Sequence, residues 1–458
     1  MLLEAFLLIL GGWKSVFGQA RTTNRAIRQA LASLVCVGRR MLSRIMLASG
    51  LEGEKSSEYF LHSRSEWSAD ELFTPILKEG LIYTPGKFVG IVADDTSLPK
   101  TGNKIKQAFW HRDPLSPKFR INLRRGIRFL QFALALPLYN THEATARTIP
   151  VLFREATPVK RPRKGRKNYQ EEMKEYRELR KTHNLSRYAL NDIEEMRNRL
   201  DVCGATHKTM VLVGDGAFCN RTIFSCQTER LILLTRARKD SRLCRKSESL
   251  KRFYDEKTFT PNDVVKDESI DWKQTRLFYG GKKRLVRYKE DSNIYWRTGA
   301  KRKPLRLLVV APTAYRVRKT GRLRYRETVF LFTTLPLGDT KALLQLYFDR
   351  WQIEVNHREE KDTLGLGQAQ LHNPKAVPKQ PALVVAAYSA LILAALKVYG
   401  PFRTNDYFPL PRWRANASRP SCLDLINLLR KQIVENTQIQ NDLGVQISFQ
   451  TLIRNAAA

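Results

Sequence analysis

The chain reads as α/β, with a helical domain ahead of the sheet core and a basic, mostly β insertion within it. Three observations predict this. Phe88–Ala93, Thr209–Val213 and Leu231–Leu234 are short apolar runs of strand length, and a long charged helical stretch, Tyr169 to Leu200, separates the first two. Strands and helices in that order build a sheet covered on both faces. Residues 237–328 then change texture, with 27 Lys and Arg against 11 Asp and Glu and alternating segments such as Thr275–Tyr279 and Arg284–Tyr288. Alternation of that kind signals antiparallel strands.

Taken in order, residues 1–85 are helical. Met1 to Leu10 is apolar but broken by Glu4 and lacks a basic leader, so it reads as a helix rather than a targeting segment. Apolar residues recur at helical spacing in Ala26, Ile27, Ala30, Leu31 and Leu34, and Ser68-Ala-Asp-Glu71 has the form of a capping box. Arg21, Arg25, Arg28, Arg39, Arg40 and Arg44 fit either a DNA-binding domain or a plain basic cap. Residues 86–236 form the first part of the core, adding strand-like Ile127–Leu138 and Thr148–Phe153; the Phe and Leu content of the former fits a helix as well. Residues 329–400 complete it with a strand at Thr328–Thr334, a helix at Tyr347–Lys361 and a strongly apolar helix at Ala382–Tyr399. The segment 401–458 opens with an Arg- and Pro-rich link to Pro420, then a helix from Cys422 to about Val434.

Eighty Lys and Arg against 44 Asp and Glu give a formal charge of +36, far more than solubility requires. The expected partner is a polyanion, and the charge is spread over folded segments rather than a tail. Six scattered cysteines without a C-x2-C pair argue against a zinc module or disulfide framework and for a reducing compartment. Without a charge-free apolar run of 18 residues, no membrane span is expected.

The candidate chemistry lies on the Tyr347–Lys361 helix. At about 100° per residue, Tyr347, Arg350, Glu354 and Lys361 share one stripe: a phenol, two cations and a carboxylate. An Arg350–Glu354 surface pair is the ordinary reading of two of them. Asp94 and Asp215 each follow a strand run, at the carboxyl ends where α/β sheets place chemistry. Each has its own ordinary reading as a turn residue. Together, three carboxylates from two strand ends and a helix suit two divalent cations about 3.5–4 Å apart, the arrangement of phosphodiester chemistry.

These residues resemble the DDE transposases of bacterial insertion sequences whose third acid lies in a Y-x2-R-x3-E-x6-K signature. Tyr347, Arg350, Glu354 and Lys361 match at all four positions, Arg350-Trp-Gln-Ile-Glu354 matches the local sequence, and Asp94-Asp-Thr-Ser-Leu98 and Val213-Gly-Asp215 match the first two acids. The likeness covers about residues 86–400. It implies a ribonuclease-H-like mixed sheet core and cut-and-paste transposition through strand nicking and strand transfer. It also implies Asp94, Asp215 and Glu354 as catalytic ligands of two Mg2+ ions, with Mn2+ able to substitute, and Tyr347, Arg350 and Lys361 as DNA phosphate contacts. The implied partners are double-stranded inverted-repeat ends and target DNA, gripped by a homodimer in the bacterial cytoplasm at the nucleoid. Alignment on Thr-Ser-Leu favours Asp94 as the first acid, with Asp95 the alternative. Where relatives hold a flipped base on Trp, this chain has Val329; Trp272, Tyr279, Tyr288 and Trp296 are the other stacking candidates, or core of the insertion. Two further readings stay open: a catalytically silent DNA-binding descendant, and a two-metal nuclease without strand transfer.

Overall fold

The computed structural model describes residues 1–458 apart from 52–54, 114, 115, 118, 166, 250, 317–319 and 458. Its strands are β1 Phe88–Pro99, β2 Phe109–Arg112, β3 Leu123–Leu136, β4 Arg147–Glu155, β5 Thr209–Gly214, β6 Leu231–Arg236, β7 Leu243–Lys246, β8 Tyr254–Phe259, β9 Lys273–Tyr279, β10 Lys282–Ile294, β11 Leu305–Val310, β12 Ala314–Tyr315, β13 Arg324–Tyr325 and β14 Val329–Thr333. Ten of them form one mixed sheet in the order β2-β3-β1-β5-β6-β14-β11-β10-β9, with β4 also paired to β3. β1, β5 and β6 run parallel to one another, and the remaining ladders are antiparallel. The run at 127–138 is thus a strand, β3, its apolar residues buried between helices.

Within residues 237–328, β9, β10 and β11 extend this same sheet, while β7 with β8 and β12 with β13 form separate two-stranded sheets. β14 and β11 pair through almost wholly buried residues, and β10 and β9 follow as a hairpin. Gly280 and Gly281, both at positive φ, make its two-residue turn, which the strand twist favours. The backbone at the exposed edge, β9, is partly satisfied by a side chain: Gln345 accepts from Phe278 N–H at 2.8 Å and donates to the Phe278 carbonyl at 2.7 Å. Of the four aromatic residues considered for stacking, Tyr279 lies flat on Phe348 at 4.6 Å, Trp296 packs on Phe224 and Phe332, Tyr288 packs on the sheet core, and Trp272 carries Arg287 and Lys289 over its ring.

Helices cover both faces. On one lie Thr340–Asp349 and Trp351–Arg358, packed over Val92, Val211, Val213 and Leu331. On the other, Ala376–Tyr399 forms the axis of a helical layer built with Leu2–Gly11, Ala20–Val35, Thr74–Leu81 and Cys422–Glu435, all in one apolar cluster with the sheet. Ala376–Tyr399 is long and apolar enough to cross a membrane, the one such helix among the described residues, but 83% of its apolar window is buried inside the fold.

Three sequence expectations need correction. The charged stretch at 169–200 is two helices, Tyr169–Thr182 and Leu185–Val202, because Asn184 turns its side chain to accept from Arg187 N–H and starts a new helix. Ser68 caps nothing: a short 3-10 turn, Glu71–Phe73, precedes the Thr74–Leu81 helix. The Tyr347–Lys361 helix is not regular throughout. It tightens locally at Arg350, which keeps helical dihedrals between Thr340–Asp349 and Trp351–Arg358, and it ends in a π-helical turn, Glu359–Thr363.

Candidate active site

The two strand acids meet through register and parity. Val92 on β1 and Val213 on β5 both face the Trp351–Arg358 side of the sheet, so Asp94 and Asp215, two residues further along, lean the same way. The β1/β5 ladder ends on the pair Ala93 and Gly214, which leaves the two acids side by side just beyond it on strands about 4.8 Å apart. Gly214 is needed here, since a Cβ at that position would lie 2.6 Å from the Phe218 Cβ that closes the following turn. Asp215 accepts from the Ala217 N–H at 2.8 Å.

Burial pushes the Asp94 carboxyl up to about 6; His357 draws it back down while the negative charge of Asp215 adds to the rise. Asp95 points elsewhere and is bound by Arg128 at 3.1 Å. Its carboxyl also lies above its ordinary value through burial, with Arg128 opposing. Asp94, not Asp95, lines the cleft.

That cleft, about 610 Å³, is lined by Asp94, Asp215, Arg236, Phe330, Arg350 and Glu354 among others. Arg350 and Glu354 lie one helical turn apart, and Arg350 Nη2 holds Glu354 Oε1 at 2.8 Å. Tyr347 stands nearby: burial raises its phenol, while Arg236 and Arg350 pull it down and Asp215 pushes it further up. Lys361 falls on the π-helical turn and is not among the residues that line the cleft. Burial lowers its ammonium, Arg124 lowers it further, and Glu360 and Asp94 oppose them. Val329 opens β14 opposite Val310 and packs on the sheet core, and its neighbour Phe330 reaches the cleft.

Asp94 and Asp215 suit a hard cation such as Mg2+: they are neighbouring oxygen donors, and burial makes an uncompensated Asp94 charge costly. Among the described residues, no three His, Cys, Asp or Glu side chains are gathered closely enough to hold an ion. Glu354 is held by Arg350 instead.

Sequence reasoning missed a second layer. Behind Asp94 lie His357, Glu360 and Gln131, linked by polar contacts. Asn356 donates to the Thr148 carbonyl at 3.0 Å, and Tyr388 donates to Glu359, tying the same helix to β4 and to Ala376–Tyr399. A signal was present: Gln131 is the one polar residue in the apolar run Phe129–Leu136. The basic residues Arg236, Arg238 and Lys239, at the end of β6 and just after it, also line the cleft without having been singled out.

Comparison with protein-family models gives no match to this chain, and comparison with curated proteins gives none either.

Proposed function

We propose that this chain is a DDE transposase that nicks DNA at the ends of a mobile element and joins the freed ends to target DNA. One observation carries the reading: Asp94 and Asp215 stand side by side beyond the Ala93–Gly214 pair, and they share a cleft with Glu354 and Arg350. The sheet order supports it. β4, β3 and β1 run antiparallel and β1, β5 and β6 parallel, with the acids on β1 and after β5, as a ribonuclease-H-like core requires.

On this reading Asp94, Asp215 and Glu354 would hold two Mg2+ ions, for which Mn2+ would substitute. Bound there, the ions supply an activated water or hydroxyl and offset charge on the leaving oxygen. In nicking, water oxygen bonds to phosphorus as the bond to the 3′-oxygen breaks and that oxygen takes a proton. In strand transfer the freed 3′-hydroxyl attacks a target phosphate and displaces the target's own 3′-oxygen. Arg350 couples the steps to binding: when Glu354 turns towards the acid pair, its guanidinium is released and can grip a phosphate bidentately. Tyr347, beside Arg350, and Lys361, on the Asp94 side, would complete that grip. A homodimer on paired ends accords with the reaction. With Val329 where relatives carry Trp, nicking and joining are assigned and no hairpin step.

The Arg350–Glu354 ion pair favours one second reading, a silent DNA-binding descendant in which that pair is permanent. Incubating the chain with DNA flanking its coding region and Mg2+ separates the two. Site-specific nicks that fall at least about 100-fold in Glu354→Gln are expected. Salt-sensitive binding without nicks in Mg2+ or Mn2+ would establish the silent form instead.

A further inference from the structure

One set of neighbours of Asp94 takes no part in these steps. Across the β1/β3 ladder, Asp94 is paired with Gln131. Gln131 is fully buried and donates through Nε2 to Glu360 Oε1 at 3.0 Å. Glu360 is fully buried as well, and its Oε2 lies 3.5 Å from His357 Nδ1. The other ring nitrogen of His357, Nε2, lies 3.8 Å from Asp94 Oδ2 and makes no hydrogen bond. The contacts therefore close a ring that starts and ends at Asp94.

Such a ring is costly to build without a purpose. A buried carboxylate with one hydrogen bond and one longer contact gives up much of its hydration. The helix also leaves α geometry here: Leu364 N–H reaches back to the Glu359 carbonyl at 3.0 Å, and Glu360 lies within that π-helical turn. π-turns of this kind collect at functional sites. An imidazole with one nitrogen set by a carboxylate presents the other in a fixed direction, the device proteins use around cation ligands.

We propose that His357, held by Glu360 and Gln131, is a positioning residue that fixes the Asp94 carboxylate for a divalent cation. The proposal rests on the reading of Asp94 as a cation ligand, and it does not depend on which DNA is cut.

The test is Mn2+ binding to the full chain without DNA, followed by electron paramagnetic resonance, with thermal melting as a check on folding. Asp94→Asn is expected to remove the tight ion. His357→Gln and Glu360→Gln are each expected to weaken binding about tenfold while melting cooperatively. Wild-type affinity in both glutamine variants, with loss in Asp94→Asn, overturns the inference and leaves the proposed function standing. Wild-type affinity in Asp94→Asn overturns both. The unmutated chain offers a second readout: substoichiometric Mn2+ should broaden the ring nitrogen signals of His357 before those of the other histidines. Bound Mn2+ that spares His357 overturns the inference.

Discussion

At the scale of single residues, Asp94 ties stability to pH. Its carboxyl rises from 3.8 to about 6 on folding, chiefly through burial. A raised carboxyl value means that the folded chain holds the proton more tightly than the unfolded chain. The resulting penalty is absent below about pH 4, grows between pH 4 and 6, and is complete above pH 6. It amounts to about 2–3 kcal/mol. Asp94→Asn should therefore melt higher than wild type at pH 8 without metal, the gap should narrow towards pH 5, and Mg2+ should close it by stabilising wild type alone. Equal melting temperatures at pH 8 would contradict this. Asp94 itself was legible from the Thr-Ser-Leu that follows it. Its distinction from Asp95 was not, because that depends on Arg128 taking Asp95 across the neighbouring strand.

At the scale of elements, the strands were legible and the breaks in the helices were not. A buried strand announces itself as an apolar run, as in Thr209–Val213, with no help from distant residues. The π-helical turn at Glu359–Thr363 instead carries two glutamates whose partners, Gln131 and Tyr388, come from β3 and from the Ala376–Tyr399 helix. Nothing in the local sequence specifies that. The N-terminal arginines follow the same rule. Arg25 and Arg28 both bind Glu58, which is 1% exposed and also accepts from Gln29 at 2.7 Å. Arg40 donates to the Ser33 and Gly38 carbonyls. These three arginines are engaged within the fold, while Arg21 and Arg39 face solvent. Glu58→Ala should cost about 3 kcal/mol by leaving two half-buried guanidinium groups uncompensated, read as a lower urea midpoint. A shift below about 0.5 kcal/mol, the range of an ordinary surface change, would show the network to be incidental.

At the scale of the whole molecule, the sheet gathers the acids and the helical layer supports them. Leu2–Gly11, Ala20–Val35 and Thr74–Leu81 from one end and Cys422–Glu435 from the other pack with Ala376–Tyr399 into the cluster that backs β1 and β3, so helices from both ends brace the strand that bears Asp94. The sequence showed these ends as helical but could not show that they share one core, since an apolar helical face does not name its partner. The charge of +36 favours a polyanion as partner without choosing a reaction; on the proposed function that choice falls to the three acids. Their proposed role as cation ligands is tested most directly by Asp215→Cys in the DNA-nicking assay. A thiolate is a soft donor that holds Mg2+ poorly and softer ions better. If the acids hold the ions, nicking is lost in Mg2+ and returns in part in Mn2+ at the same phosphates. Wild-type nicking by Asp215→Cys in Mg2+ would contradict that role.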